Sequence, residues 1–439
     1  MTPTSEEQPP QAARAGSGRE IRSPRGMRDV LPAEIPAWER LEGAARGLAR
    51  RFGYAEIRPC LLEETELFIR SVGEVTDIVE KEMFTLSKGE TSLALRPEGT
   101  AGIVRAYLQA GLARSAPLQK LFTIGPMFRY ERPQKGRERM FTQYDCEALG
   151  SLDPRLDAEI VHLAASFFVE LGLTGLEVRL NSMGDGPDRD RYRAAVREFV
   201  RPTLPERCEL CRARFERNVL RVLDCKTSLC VELNAAAPKL LDFLDEGNRQ
   251  HFDTACALLR DVGLEVAVDP GIVRGLDYYT RTVFEVHYPA LGARSALCGG
   301  GRYDHLVRDL GGPDLGAVGF AVGFTGTLLV LEELGLARDL RLPAADVYVV
   351  AADRACAREV FRAVSVLRAA GLSAVFDTEG RSGKAQFKAA NAGGHPVCVV
   401  IGPDELERGA AQVKDMRAGS QREVPRAELA AAVRAVLGG

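Results

Sequence analysis

The stretch FRYERPQKGRERMFTQYDCE, residues 128–147, contains two features that decide how the rest of the sequence is interpreted. Its first half carries Arg129, Arg132, Lys135 and Arg137, with a proline and a glycine among them. Proline and glycine are typical of tight turns, and arginine suits bidentate contacts with phosphate groups. The cluster therefore predicts a hairpin-like turn that binds a polyphosphate, a nucleic-acid backbone or both, although a solvated charged loop would also account for the charges.

The second half of the stretch has the alternating pattern of a β-strand. Successive side chains of a strand point to opposite faces of the sheet, so Gln143, Asp145 and Glu147 would share one face. Polar side chains on one sheet face, next to a cationic turn, indicate a small-molecule pocket rather than a surface loop. We therefore expect both halves of the stretch to belong to one site.

A second segment of interest is GIVRGLDYYTRTVFEV, residues 271–286. Arg274 would supply a further fixed cation, and the adjacent Tyr278 and Tyr279 follow a Gly-Leu-Asp sequence that is typical of a loop. Two tyrosines in such a loop would close a binding site. The alternative is that both tyrosines are half-buried in a core, which is the commoner position of this residue.

Two further segments combine glycine with polar side chains. LRPEGTAG, residues 95–102, places the carboxylate of Glu98 and the hydroxyl of Thr100 on a tight turn. CGGGRYD, residues 298–304, has consecutive glycines. Such glycines allow the backbone to approach a ligand closely, although glycine triplets also occur in plain turns.

The composition excludes several classes of protein. The chain has 439 residues, of which 46% are hydrophobic and 27% charged, the balance of an ordinary globular protein. Its apolar runs are far shorter than the roughly 18–20 residues of a membrane span, and a net charge of −3 excludes nucleic-acid binding by bulk charge. Because the first residues do not have the pattern of an export signal, the ten cysteines are expected to be reduced thiols in a cytoplasmic protein.

Changes of pattern along the chain predict a tail and two domains. Residues 1–22 have the composition of a disordered tail. Residues 23–338 mix strands and helices without a regular βαβ rhythm, which predicts an α+β domain with a mostly antiparallel sheet. Within this domain, the segment from about residue 185 to residue 248 is predicted to be a helical insertion. Residues 345–439 alternate strand and helix and predict a small α/β domain. The elements predicted for that domain are strands at 347–350, 374–376 and 397–401 and helices at 354–370, 382–391 and 426–437.

Taken together, six segments resemble the histidyl-tRNA synthetase family, which belongs to the class II aminoacyl-tRNA synthetases, over nearly the whole chain from residue 26. They are GEVTDIVEKEMFTL (73–86), LRPEGTAG (95–102), FRYERPQKGR (128–137), RGLDYYTRTVFE (274–285), GGRYD (300–304) and GRSGKAQFKAAN (380–391). The resemblance implies that residues 23–338 are a catalytic domain, that residues 345–439 bind the anticodon, and that the protein is a homodimer. It also implies ligation of histidine to its tRNA through histidyl-adenylate, with ATP as a substrate accompanied by Mg²⁺.

The resemblance also implies roles for individual residues. It assigns Arg129 and Arg274 to the α-phosphate of ATP as the catalytic cations, and Arg137 to the outer phosphates. The histidine-binding residues fall into two sets, Glu98, Thr100 and Gln143 around the amino group and Glu147, Tyr278 and Tyr279 around the imidazole. Arg132 and Gln134 would meet the acceptor end of the tRNA.

One position departs from the family pattern. Gly326 stands where the third class-defining motif has an arginine for the γ-phosphate. Loss of that cation favours reduced activity, unless another cation such as Arg294 or Arg308 compensates. The alternative is a non-catalytic paralogue that binds histidine, such as the synthetase-like regulatory subunit of ATP phosphoribosyltransferase. The ligase is favoured because the chain keeps the other arginines and the C-terminal domain.

Four of the cysteines have a spacing that resembles a zinc site. Cys208 and Cys211 form a Cys-x₂-Cys pair, followed by Cys225 and Cys230, which are separated by four residues rather than two. Reduced, partly buried thiols without a metal are the alternative and the favoured interpretation. The sequence therefore leaves a structural zinc ion as a hypothesis.

Overall fold

The computed structural model describes residues 20–73, 76, 78–134, 136–223, 225–272, 278–337, 340 and 342–438. The chain divides into two compact units, one ending at Leu340 and one covering residues 341–439. The tail predicted for residues 1–22 lies outside the described residues as far as residue 19. Arg274 and Lys135 also lie outside them.

The first unit is built on an eight-stranded sheet and a separate three-stranded sheet. Its strands are β1 (Ala55–Glu56), β2 (Leu62–Glu64), β3 (Phe84–Lys88), β4 (Thr91–Leu95), β5 (Gln119–Phe128), β6 (Met140–Leu149), β7 (Glu177–Ser182), β8 (Val266–Val268), β9 (Thr280–His287), β10 (Ala296–Arg302) and β11 (Ala317–Gly323). The large sheet has the order β1-β5-β6-β11-β10-β9-β7-β8, and the small one β2-β4-β3. Only the outer pairs β1/β5 and β7/β8 of the large sheet are parallel. The expectation of a mostly antiparallel sheet is therefore confirmed.

Helices cover the large sheet and fill the connections between its strands. They are α1 (Ile35–Arg51), α2 (Thr65–Val72), α3 (Thr100–Gln109), α4 (Leu112–Ser115), α5 (Pro154–Glu170), α6 (Gly186–Val200), α7 (Glu209–Arg217), α8 (Ser228–Asn234), α9 (Glu246–Asp261), α10 (Leu306–Asp309) and α11 (Phe324–Glu333). The main core lies between α1, α5 and one face of the sheet, where Tyr144, Cys146 and Ala148 of β6 are buried. Alternation then places Gln143, Asp145 and Glu147 on the opposite face.

Helix α5 is fixed to the sheet by a buried ionic network. The guanidinium of Arg302, at the end of β10, donates to Asp157 of α5 and to Asp304, and Asp157 is also within 3.1 Å of the His251 ring. The arginine holds the pKa of the Asp157 carboxyl below its usual range, although burial alone would raise it. The network joins the helical layer to the strand that precedes Tyr303.

The consecutive glycines lie in the middle of strand β10 rather than in a turn. A Cβ atom on Gly300 would lie 2.3 Å from the carbonyl oxygen of Gly319, and one on Gly301 would lie 2.7 Å from that of Thr282. Both contacts are with neighbouring strands of the sheet. Gly300 and Gly301 therefore allow close strand packing, which corrects the alternative of a plain turn, whereas the approach of this backbone to a ligand stays a prediction.

The second unit has a five-stranded sheet of order β13-β12-β14-β15-β16. Its strands are β12 (Val347–Ala351), β13 (Ala374–Phe376), β14 (Val397–Ile401), β15 (Ala410–Asp415) and β16 (Gln421–Pro425), and its helices are α12 (Ala357–Ala369), α13 (Gly383–Ala392), α14 (Pro403–Glu407) and α15 (Leu429–Leu437). The first three strands are parallel and the last two antiparallel. Among the helices that the structure describes in either unit, none is long and apolar enough to cross a membrane.

Candidate active site

Glu98 and Thr100 are positioned by the start of helix α3. The two carboxylate oxygens of Glu98 accept hydrogen bonds from the backbone N–H groups of Thr100 and Ala101, both at 2.8 Å. These N–H groups have no partner within the helix, so the carboxylate satisfies them and complements the helix dipole. Glu98 is almost fully buried, and burial raises its pKa. The sequence Glu98-Gly99-Thr100 thus holds a buried acid at the N-terminus of helix α3.

Glu147 lies on strand β6 and faces Thr100, the first residue of helix α3. Its carboxylate accepts a hydrogen bond from the Thr100 hydroxyl at 2.6 Å and another from the Tyr303 hydroxyl. Burial raises the pKa of Glu147 well above its usual value, and the negative charges of Asp145 and Glu98 raise it further. The arrangement makes Glu147 a buried acid whose carboxyl group is held in place by two hydroxyl groups.

Two acceptors on the same face of β6 lack partners among the described residues. Both the amide oxygen of Gln143 and one carboxylate oxygen of Asp145 are buried without a hydrogen-bond donor. Burial raises the pKa of Asp145 well above its usual value, as does the charge of Glu98. Buried acceptors in folded proteins are nearly always paired. These two oxygens are therefore suited to a bound cationic or hydrogen-bond-donating group.

Two arginines lie beside the acids. The Nε of Arg129 donates to the carbonyl oxygen of Pro97 at 2.8 Å, and its guanidinium lies 5.4 Å from the centre of the Phe141 ring. Its charge lowers the pKa values of Glu98 and Asp145, against the effect of burial. Arg96 is buried and donates to backbone carbonyl groups. The site thus combines buried carboxylates with fixed guanidinium groups.

Three tyrosines form a wall of the site. The rings of Tyr278 and Tyr279 have centres 4.9 Å apart, and the ring of Tyr278 meets that of Tyr303 edge-on at 5.5 Å. Burial raises the pKa of the Tyr278 hydroxyl, and so do the nearby charges of Glu98 and Glu147. Glu98, Thr100, Glu147 and both tyrosines of the loop are therefore brought together.

The cationic turn borders a cleft at the end of strand β11. Gln134 and Arg137 exchange two backbone hydrogen bonds that close the turn, and the Arg137 side chain is exposed and lies 3.6 Å from Glu131. Arg132 and Gln134 are also exposed. The cleft has a volume of about 670 Å³, and its lining includes Gln134, Gly136, Arg137, Gly323, Gly326 and Glu333.

The family of the chain is decided by comparison with known proteins. A family model described as histidyl-tRNA synthetase matches residues 26–184 and 211–326, and one described as an anticodon binding domain matches residues 346–436. A histidine–tRNA ligase of Anaeromyxobacter dehalogenans is 46% identical over 414 residues, which cover 94% of this chain and 99% of that protein. The chain belongs to the histidyl-tRNA synthetase family.

Other histidyl-tRNA synthetases agree with this assignment. The histidine–tRNA ligase of Moorella thermoacetica is 46% identical over 92% of this chain and 95% of its own length. The crystal structure of apo S. aureus histidyl-tRNA synthetase superposes with a TM-score of 0.80 at 33% identity, covering 94% of this chain and all of that one. The family resemblance stated from six sequence segments is confirmed.

Two residues of the site received no individual role from the sequence. The Tyr303 hydroxyl donates a hydrogen bond to Glu147, and its ring packs against Tyr278. The sequence places Asp145 on the polar face of the strand but gives it no role, and the charges of Glu98, Arg96 and Arg129 act on its carboxyl group. The GGRYD segment contained the signal that could have identified Tyr303. That signal does not show which residues meet, because the contact between Tyr303 and Glu147 joins positions 156 residues apart.

Proposed function

We propose that this chain ligates L-histidine to its tRNA in two steps, with ATP as the energy source and histidyl-adenylate as the intermediate. The observation that carries the proposal is a pair of buried, unpaired acceptors on Gln143 and Asp145, with the charge of Arg129 close to Asp145, in a chain of the histidyl-tRNA synthetase family. Among the described residues, no helix could span a membrane. A cytoplasmic location belongs to the same proposal.

The first step needs alignment and charge rather than a general base. A carboxylate oxygen of histidine attacks the α-phosphorus of ATP, a new oxygen–phosphorus bond forms, and the bond to the β-phosphate oxygen breaks with its electrons leaving on pyrophosphate. The carboxylate is already ionised, so no proton has to be removed. Fixed cations stabilise the charge that builds on the phosphate oxygens. ATP enters as its magnesium complex.

The histidine-binding roles divide between two groups of residues. Glu98, Thr100 and Gln143 hold the amino group, and the unpaired oxygen of Gln143 supports this role because an ammonium group only donates. Glu147, Tyr278 and Tyr279 surround the imidazole. A pocket that hydrogen-bonds a polar ring rejects apolar amino acids strongly, because its buried groups would otherwise be unpaired.

The phosphate and tRNA roles fall to the cationic turn. Arg129 and Arg274 contact the α-phosphate as catalytic residues, and Arg137 contacts the outer phosphates. The bond from Arg129 to the Pro97 carbonyl supports this role because it holds the guanidinium beside the acids of the pocket. Arg132 and Gln134, both exposed on the turn, meet the acceptor end of the tRNA. In the second step the terminal hydroxyl of the tRNA takes the histidyl group and releases AMP.

We also propose that the protein is a homodimer. The segment that precedes α2 exposes Leu61 and Leu62, and Leu86 of the adjacent small sheet is exposed as well. Exposed apolar side chains grouped on one small sheet suit an interface. Sedimentation equilibrium of the full chain tests this point, with twice the chain mass as the expected result and the chain mass as the contrary one.

Histidine-dependent exchange of labelled pyrophosphate into ATP tests the activity. We expect exchange that requires histidine, and its strong reduction in Arg129→Ala and in Glu98→Gln. A regulatory paralogue would instead bind histidine without exchange. The identity of 46% with histidine–tRNA ligases over more than nine-tenths of the chain favours the ligase over that alternative.

A further inference from the structure

We infer that the helical insertion holds one structural zinc ion on the sulfur atoms of Cys208, Cys211, Cys225 and Cys230. These four sulfurs all lie within 4.8 Å of one another, and those of Cys208 and Cys225 are 3.7 Å apart. A tetrahedral site with zinc–sulfur bonds of about 2.3 Å separates its sulfurs by roughly 3.8 Å. The cluster therefore has the size of a four-thiolate zinc site.

Separate elements of the insertion bring the four side chains together. Cys208 immediately precedes α7 and Cys211 lies in its first turn, Cys225 follows the helical turn Val219–Val222, and Cys230 lies in α8. The backbone N–H of Cys208 lies 3.4 Å from the sulfur of Cys230. Such N–H groups orient and stabilise the thiolates of metal sites.

The burial of the cysteines indicates a structural rather than a catalytic metal. Cys211 and Cys230 are fully buried, Cys225 is nearly so, and Cys208 is half-buried. Structural zinc has four protein ligands, whereas catalytic zinc keeps an open position for water or substrate. Four sulfurs in such a closed arrangement leave no position for a substrate.

The elements of the insertion are short, which favours stabilisation of its fold by a metal ion. Between residues 201 and 243 its longest described element is α7, of nine residues, and the others have four to seven residues. Three of the cysteines belong to the small hydrophobic cluster of this region. Segments of about 40 residues rarely bury enough apolar surface to hold their own fold, and a metal commonly supplies the difference.

A buried cation next to the cysteines supports the same inference. The guanidinium of Arg207 is buried and donates to the side chains of Thr203 and Asn234. Within the described ranges no carboxylate lies within ion-pair distance of it. A buried cation without an anion is costly, and zinc with four thiolates carries a net charge of −2. Arg207 directly precedes Cys208 in the chain, so the negative charge of a metal site there would offset the cost of the buried cation.

Metal analysis of the full-length protein, purified without chelators, tests the inference. We expect about one zinc ion per chain, and its loss in the double variant Cys211→Ser/Cys230→Ser. The matched control is Cys256→Ser/Cys398→Ser, which changes two buried cysteines outside the cluster and should keep the zinc. A mercurial reagent that blocks thiols should release the metal from the wild type.

Three results would contradict the zinc inference. Absence of zinc from the wild type, both as purified and after anaerobic refolding with zinc, would overturn the inference. Retention of zinc by the Cys211→Ser/Cys230→Ser variant, or occupancy by iron instead of zinc, would also contradict it. Should the variant fail to fold, the zinc content of the wild type and its release by the mercurial decide the matter.

Discussion

Gly326 is a single position at which this chain differs from the arginine expected in its family. It lies in α11 on the wall of the cleft that Arg137 also lines, and a Cβ atom there would meet nothing within 4 Å. Arg308 lies elsewhere and is paired with Asp309 and Asp314, and the side chain of Arg294 lies outside the described residues. The structure therefore leaves room for an arginine side chain at position 326.

Gly326→Arg should raise the rate of histidine-dependent pyrophosphate exchange by about tenfold or more, because one transition-state cation is commonly worth about 10²–10³ in rate. The control is Gly326→Met, which adds a side chain of similar helix propensity but no charge. Equal rates in the two variants would show that helix stability, not charge, had changed. No rise in either variant would show that another cation already fills the role.

Glu147 supports a second prediction at this scale, concerning pH. Burial raises the pKa of Glu147 in the folded state above its ordinary value of 4.5. At pH values between 4.5 and the raised pKa, the folded state therefore binds more protons than the unfolded state. Its contribution to the free energy of unfolding is thus present below pH 4.5 and is lost as the pH rises through the raised pKa. The loss is about 1.4 kcal/mol for each pH unit that separates the pKa of the folded state from that of the unfolded state.

Glu147→Gln removes this titration, so the unfolding free energy of the variant should fall less than that of the wild type as pH is raised from about 4.5 to 8. Urea unfolding at several pH values measures the difference. Some slope remains because Glu98 and Asp145 also have raised pKa values. Parallel curves for the two proteins would contradict the prediction.

At the scale of elements, local patterns predicted several strands of the second unit correctly but left the pairing of strands open. The strands expected at 374–376 and 397–401 coincide with β13 and β14, and the fold class of both domains is confirmed. The hairpin of β15 and β16 was missed because QREVP is polar and exposed, without the alternation of a half-buried strand. The helix expected at 354–370 begins with a separate tighter turn, at Arg354–Cys356.

The candidate site shows the same limit. Alternation along β6 predicted which side chains share a face, but the bond between Thr100 and Glu147 joins residues 47 positions apart and depends on how α3 packs on the sheet. The turn considered for the glycines of β10 was wrong, because glycine is rare in strands and a run of it suggests a turn. Only the close approach of β9 and β11 explains them, and that contact cannot be read from a local pattern.

Gly319 of β11 gives a prediction about this strand packing. A Cβ atom there would lie 2.6 Å from the carbonyl oxygen of Cys146 and would overlap the Glu147 carboxylate. Because the backbone oxygen cannot move away freely, Gly319→Ala should lower the free energy of unfolding by about 1–3 kcal/mol and weaken histidine binding by displacing Glu147.

Gly323→Ala is the matched control, since it lies in the same strand and its added Cβ would meet nothing within 4 Å. Its unfolding free energy should stay within about 0.5 kcal/mol of the wild type. Urea denaturation of the two variants measures the contrast. A Gly319→Ala variant as stable as the control would mean that the strands separate more easily than the packing suggests.

At the scale of the whole molecule, each unit has a core of its own. The main core of the first unit uses residues before Leu340, whereas that of the second lies entirely within residues 347–437. A separate core and a short connecting segment are the marks of an independently folding domain. We propose on this basis that the boundary expected at residues 338–345 separates two domains that fold alone.

Two fragments, residues 1–340 and 341–439, test that proposal. The second should unfold in a single cooperative transition, since its five-stranded sheet is covered by helices packed on a continuous core. The first should retain histidine-dependent pyrophosphate exchange, because the residues of the proposed histidine and ATP sites all precede residue 340. Its transfer of histidine to tRNA should fall strongly relative to the full chain, because the unit matched by the anticodon-binding model is missing. Circular dichroism on heating measures the transition of the second fragment, and parallel exchange and tRNA-charging assays measure the activity of the first. The proposal would be contradicted by a second fragment without a cooperative transition. It would also be contradicted by a first fragment that charges tRNA as well as the full chain does.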